Sequence, residues 1–312
     1  MKNTRMLTEG ALMLAIFAVL LFISLFVPIV MIVTQFFLIL PFLLYSAKYP
    51  LKNTAILVIG AVFITLLIGN IIMVPIAIIF GTTGMVMGYG IRTGKSKLII
   101  YLASSITFLI NIVLLFVIAS VFFSVNFIDE IAQIFKSSLD QYTAALQSFG
   151  QNPPEKLQEQ MNEMLSLMSS MAPIFFIAMA FSTVILLIII NFPIAKRLGI
   201  PVPKFGPFRE LKVSKSILWY YLAALILTLL VNPEPGTYMY MVLINGAFIL
   251  QVLLVIQGLA FIFFYSHLKK WPIVLPVLAV IFTFILPIFL SIVRMLGIID
   301  IGFNLRGYLE KK

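Results

Sequence analysis

Residues 10–47 read GALMLAIFAVLLFISLFVPIVMIVTQFFLILPFLLYSA, without one charged side chain. A helix rises about 1.5 Å per residue and crosses the hydrocarbon of a bilayer in about 20 mostly apolar residues. The stretch is therefore too long for one comfortable span. Pro28, near its middle, has no N–H for the helical ladder. Two spans are expected, 10–27 and 29–47. The same reading outward along the chain gives further spans at 53–69, 71–91, 98–124, 172–195, 216–231, 238–266 and 272–293, making about nine. A break at Pro287 would turn the last into two short helices and the total into ten. Lys2 and Arg5 precede the first apolar run as in a signal peptide, but the run is too long and no small-residue cleavage site follows.

The composition agrees with this reading. Of 312 residues, 62% are hydrophobic and 10% charged, and the mean hydropathy is +1.15. A soluble domain is roughly 45–50% apolar and about 25% charged. A soluble enzyme and a disordered chain are both excluded. The fold class is all-α, a polytopic transmembrane helical bundle. The formal charge of +10 would point to nucleic acid in a soluble protein. Here the basic residues occupy short loops: Lys2 and Arg5; Lys48 and Lys52; Arg92, Lys95 and Lys97; then Lys196, Arg197, Lys204, Arg209, Lys212 and Lys215; finally Lys269 and Lys270. These fall on one side when the N-terminus is cytoplasmic, and the opposite loops are acidic, with Asp140 and Glu234 among them. A lipid bilayer is the expected partner and nucleic acid is not. The tail is the exception, because a single span at 272–293 leaves Arg294 and Arg306 outside. With no cysteine in the chain, disulfides, thiolate metal sites and cysteine nucleophiles are absent together.

Residues 125–171 break the apolar pattern. Ile128, Ile131, Phe135, Leu139, Tyr142, Leu146 and Phe149 recur every three or four positions, one stripe of an amphipathic helix. Asn152 can then cap a second helix, with Pro153 in its first turn and Glu155 three residues past the cap. Leu157, Met161, Met164, Met168 and Met171 form its apolar stripe. An external amphipathic helical hairpin is expected, its stripes zipped together, laid on the membrane surface, or closing over a pocket.

Catalytic parts are missing. No ionisable residue lies deep in a span between residues 10 and 293, and Arg294 falls at a helix end where it can snorkel to the interface. His267, the only histidine, sits beside Lys269, Lys270 and Trp271 at a helix end. There is no ligand spacing for a metal, no GxSxG elbow, no Walker loop and no dinucleotide fingerprint. The expectation is no enzyme, no metal and no cofactor.

Small and neutral polar residues are more informative. Ala11, Ala15 and Ala18 share one face of the first span, and Gly81, Gly84 and Gly88 one face of the fourth. Such faces let another helix approach closely, either within the bundle or on a partner subunit. Ser104, Thr107 and Asn111 form a polar stripe on the fifth span, and Asn70 stands between the third and fourth. They can bond neighbouring helices or line a pocket for a small polar solute. Asn245, Gln251 and Gln257, six apart, point to three faces and make no lining stripe.

Leu7-Thr8-Glu9-Gly10-Ala11-Leu12-Met13-Leu14-Ala15, the long external insertion, and the closing Gly297-Ile298-Ile299-Asp300 followed by Arg306 resemble the YybS family, multi-spanning membrane proteins of Gram-positive bacteria. That family is similar in its first six helices to the S components of energy-coupling-factor vitamin transporters. In those proteins an alanine-x-x-x-alanine face on the first helix docks onto a coupling subunit, and Ala11 and Ala15 match that spacing. The resemblance implies an S-component-like core at 1–124 and 172–197, an external hairpin at 125–171, a basic cytoplasmic loop at 198–215, and extra C-terminal helices and tail at 216–312. It implies a solute-binding or transport-related subunit of the bacterial plasma membrane, with a coupling subunit as partner. The alternative is a scaffold or regulatory membrane protein acting through the hairpin or the basic loop.

Overall fold

The computed structural model describes residues 2–123, 127–150 and 157–310. In chain order the α-helices are α1 (Lys2–Phe26), α2 (Pro28–Thr34), α3 (Leu40–Lys48), α4 (Leu51–Ile68), α5 (Val74–Arg92), α6 (Lys97–Phe123), α7 (Phe127–Ser148), α8 (Leu157–Ser170), α9 (Ala172–Arg197), α10 (Ser216–Val231), α11 (Tyr238–Leu268), α12 (Val274–Ile285), α13 (Pro287–Phe303) and α14 (Leu305–Glu310). Short 3-10 turns sit at Gln35–Phe37, Ile71–Met73 and Phe208–Glu210. The asparagine cap and prolines expected at 152–155 lie outside the described residues, as do the side chains of Ile128, Ile131, Leu157 and Met161. Helices α7 and α8 occupy the two amphipathic stretches.

Seven helices among the described residues are long and apolar enough to cross a membrane: Thr4–Phe26, Pro28–Lys48, Leu51–Ile68, Ile71–Arg92, Lys97–Phe123, Ala172–Arg197 and Tyr238–Leu268. This is an all-helical, polytopic membrane protein. The Pro28 break falls where the residue order requires it. Val27 is non-helical at φ −123° and ψ 84°, as expected of a residue before proline, and Ser24 Oγ meets Thr34 Oγ1 at 2.6 Å across the bend.

The C-terminal part corrects the nine-span expectation. Residues 216–231 form a helix of only 16 residues. Residues 272–293 are not one continuous helix, and the break falls at Pro287, as in the alternative reading. Leu286, at φ −113° and ψ 113°, ends α12, Pro287 opens α13, and the two helices bend by 118°. The physical reason is again the residue before a proline, pushed out of the helical region. Arg294 consequently lies in the middle of a helix rather than at an end.

The chain packs as two units, Met1–Asn126 with Phe175–Phe205, and Phe127–Ile174 with Gly206–Lys312. In the first, α5 lies against α3 on its glycine face. A Cβ at Gly84 would sit 2.8 Å from Phe42 Cβ and 2.9 Å from the Ile39 carbonyl oxygen, and one at Gly88 would enter the Leu43 carbonyl. Ile39, Leu43, Met87, Leu187 and Ile188 form the buried core there. Asn191 on α9 donates to the carbonyl of Phe36, in the 3-10 turn between α2 and α3, at 2.9 Å. Only 6% of the most apolar window of α6 is buried, so most of that helix is surface for lipid.

In the second unit α11 is the central element. Gly258 and Gly297 let α13 approach it backbone to backbone. A Cβ on Gly258 would run into the Val293 carbonyl and one on Gly297 into the Leu254 carbonyl. Val255, Leu259 and Val293 close the apolar contact around that crossing.

Candidate functional site

The three amides of α11 each bond a different set of groups, and two of them reach α13. Six residues advance a helix by 600°, so successive side chains turn by 240°. Asn245 donates to the Ser170 carbonyl at 2.7 Å and accepts from the Ile174 N–H at 3.0 Å, bridging the backbone where α8 ends and α9 begins. Gln251 Oε1 accepts from Arg294 Nη1 of α13 at 2.9 Å. Gln257 accepts from the Val213 N–H at 2.8 Å and donates to Asp300 Oδ2 at 2.5 Å.

That last contact opens onto a buried charged centre. Asp300 is 4% exposed and Arg306 1%. Arg306 Nε donates to Asp300 Oδ2 at 2.9 Å, and its Nη1 donates to the Arg209 carbonyl at 2.7 Å. Its guanidinium carbon also lies 5.5 Å from the centre of the Phe264 ring. The local chain makes the pairing. Six residues along a continuous helix would carry Arg306 about 9 Å up the axis and onto another face. Asn304 instead takes a left-handed conformation, φ 49° and ψ 51°, which ends α13 and turns α14 back. Asparagine is one of the few side chains that adopts that conformation readily.

Beside the pair is a cavity of about 200 Å³, lined by Lys212, Val213, Lys215, Gln257, Asp300, Ile301, Asn304 and Arg306. Gln257 lies eleven residues before the end of α11, about 17 Å along the axis. The expectation of no ionisable residue deep in a span covers residues 10–293, and these two charges lie beyond it. The charges lie just past the expected end of the last span, and the turn at Asn304 folds them back. The Arg306–Arg209 bond holds α14 at the same end of this unit as the residues around Arg209. A glutamine in an apolar helix and opposite charges six residues apart were the available signals.

The residues expected to line a pocket are placed otherwise. Asn70 caps the Ile71–Met73 turn, accepting from the Ile72 N–H at 3.0 Å. Ser104 is fully buried, and its hydroxyl has no hydrogen-bond partner. Thr107 bonds the Ala103 carbonyl of its own helix at 2.9 Å. Asn111 crosses from α6 to Thr82 on α5 at 3.0 Å and also bonds the Thr107 carbonyl. Of the small faces, Gly81, Gly84 and Gly88 are buried inside the unit, whereas Ala11 and Ala15 are exposed and Ala18 half-buried. Among the described residues, no three His, Cys, Asp or Glu side chains gather as a metal site would need.

The comparisons place this arrangement among membrane proteins. The uncharacterized protein YybS of Bacillus subtilis (strain 168) is 33% identical over 308 residues, covering 98% of this chain and 99% of that protein. No solved structure matches the chain. The family described as "Predicted membrane protein (DUF2232)" matches residues 15–301, which take in both glycines of the α11–α13 crossing, Gln257 and Asp300, and it is to this family that the chain belongs.

Proposed function

We propose that this protein is a membrane-embedded solute-binding component of a transport system, with no nucleotide site and no catalytic step of its own. Its place is the bacterial plasma membrane, N-terminus in the cytoplasm. The observation that carries the reading is the buried Asp300–Arg306 pair beside a cavity. Charges within an apolar bundle are expensive, and a buried ion pair is a poor source of stability against an apolar replacement. A centre of this kind is better accounted for by binding than by folding. Energy would come from a coupling subunit, and the exposed Ala11 and Ala15 face of α1 is the surface offered to it, in keeping with the S-component-like reading of the first six helices.

Native mass spectrometry of the protein gently extracted from its own membrane tests this. A retained solute of a few hundred daltons, or an attached ATPase pair, supports the reading. A ligand-free protein bound to an unrelated envelope protein overturns it. Replacing both alanines (A11L/A15L) should abolish partner capture while the protein still inserts, and unchanged co-purification would remove the docking role.

A scaffold or regulatory role is the second reading, favoured by one observation. Ile134, Tyr142 and Phe149 of the hairpin segment stand 65%, 55% and 81% exposed. Deleting residues 128–168 separates the two. A scaffold loses its partner, whereas a transport component keeps its partner and loses solute retention.

A further inference from the structure

We infer that the cavity beside Asp300 and Arg306 binds a small oxyanion, a carboxylate or a phosphate group, held between Arg306, Lys212 and Lys215. The inference rests on the reading of this centre as a binding site and names the class of ligand it takes. Three observations converge. Arg306 gives Nε to Asp300 and Nη1 to the Arg209 carbonyl, but its Nη2 is buried with no hydrogen-bond partner. A buried N–H of a charged group is among the costliest donors to leave unmet. Lys212 and Lys215 line the same cavity, and among the described residues neither is paired with a carboxylate. Asp300 is the only acid lining the cavity, so three cations face one carboxylate.

That excess decides the ligand's sign. A cation would meet Arg306 and both lysines, and an apolar solute would strand Nη2. An oxyanion supplies what is missing, since a guanidinium edge presents its N–H groups in the geometry that carboxylate and phosphate oxygens accept. Size fits that class. A cavity of about 200 Å³ has room for a phosphate group or a short carboxylic acid. The bound anion would also join separate segments, the lysines of 206–215 on one side and Arg306 of α14 on the other.

The oxyanion can be free in solution or belong to a lipid headgroup, and the test has an arm for each. Full-length protein in detergent is titrated with inorganic phosphate, then with succinate, against chloride at constant ionic strength, and thermal unfolding is followed. The variant K212Q/K215Q changes two exposed side chains and leaves the buried pair intact. The expected result is a saturable rise of the unfolding midpoint with phosphate or succinate. In the variant the apparent affinity falls about tenfold or more, the loss of one charged hydrogen bond, with the midpoint in chloride unchanged. In the second arm, nanodiscs of phosphatidylglycerol are compared with phosphatidylcholine, and retained lipid is counted by native mass spectrometry. Retention of phosphatidylglycerol that the double variant abolishes assigns the oxyanion to a headgroup. No response beyond chloride together with no selective lipid retention overturns the inference, as does a response of undiminished affinity in K212Q/K215Q. A neutral solute found on the extracted protein, with no anion response, overturns this inference and leaves the transport reading standing. Extracted protein carrying neither solute nor coupling partner overturns both.

Discussion

Asp300 Oδ2 accepts from Gln257 and Arg306 together, and that sharing sets what single substitutions do. Asp300→Asn keeps the shape but leaves a buried guanidinium without its counter-charge, an expected loss of about 3–5 kcal/mol. Replacing both partners with apolar residues, D300L/R306M, removes both desolvation penalties and should recover most of that loss. Denaturant unfolding of the two variants in detergent makes the comparison, and a double variant as unstable as D300N would show the pair to be a true stabiliser. Gln257→Leu cuts the Val213 and Asp300 bonds at once and is expected to cost about 1–3 kcal/mol in the same assay. At this scale little of the site was legible. Asp300 and Arg306 read as tail residues because proximity depends on a single left-handed asparagine, which hydropathy does not register. Ser104, Thr107 and Asn111 were legible as one stripe, but whether a stripe bonds a neighbour or lines a space depends on what faces it.

Helix crossings depend on where a side chain is missing. Two glycines of α11 give an internal comparison, since a Cβ on Gly258 meets the Val293 carbonyl whereas one on Gly246 meets nothing within 4 Å. Gly258→Ala is expected to destabilise the α11–α13 crossing by about 1–3 kcal/mol. Gly246→Ala should be neutral or stabilise slightly, by up to about 1 kcal/mol, because alanine loses less backbone freedom in a helix. Thermal unfolding of the two variants side by side checks both, and equal effects would contradict the close crossing. The glycine face of α5 was readable as a close-packing face from spacing alone. The α11–α13 face was not, because neither Gly258 nor Gly297 has a second glycine three or four residues away in its own helix, and the two meet only across the crossing.

For the whole molecule, the apolar spans were largely legible. Each helix in lipid must satisfy its own backbone hydrogen bonds, so each announces itself as a long apolar run. The exception was residues 272–303, where a proline bends the chain by 118° without altering its hydropathy. Arg306 bonds the Arg209 carbonyl, so α14 and the residues around Arg209 share one end of their unit. Because the chain has no cysteine, single substitutions report sidedness without background. Lys212→Cys and Glu310→Cys should react alike with a membrane-impermeant maleimide, protected in intact cells, as should Lys95→Cys. Ser137→Cys should react from outside, and labelling of Glu310→Cys but not Lys212→Cys in intact cells would contradict the shared end. The three amides of α11 carry a further consequence. Pointing 120° apart, one toward the α8–α9 junction and two toward separate points of α13, they act as a rotational lock: turning α11 by a single residue, about 100°, would release all three grips together. The Thr228 hydroxyl of α10 and the Thr283 hydroxyl of α12 bond carbonyls of their own helices. A rotation of α11 about its own axis cannot be gradual, since no one grip can be given up while the other two hold.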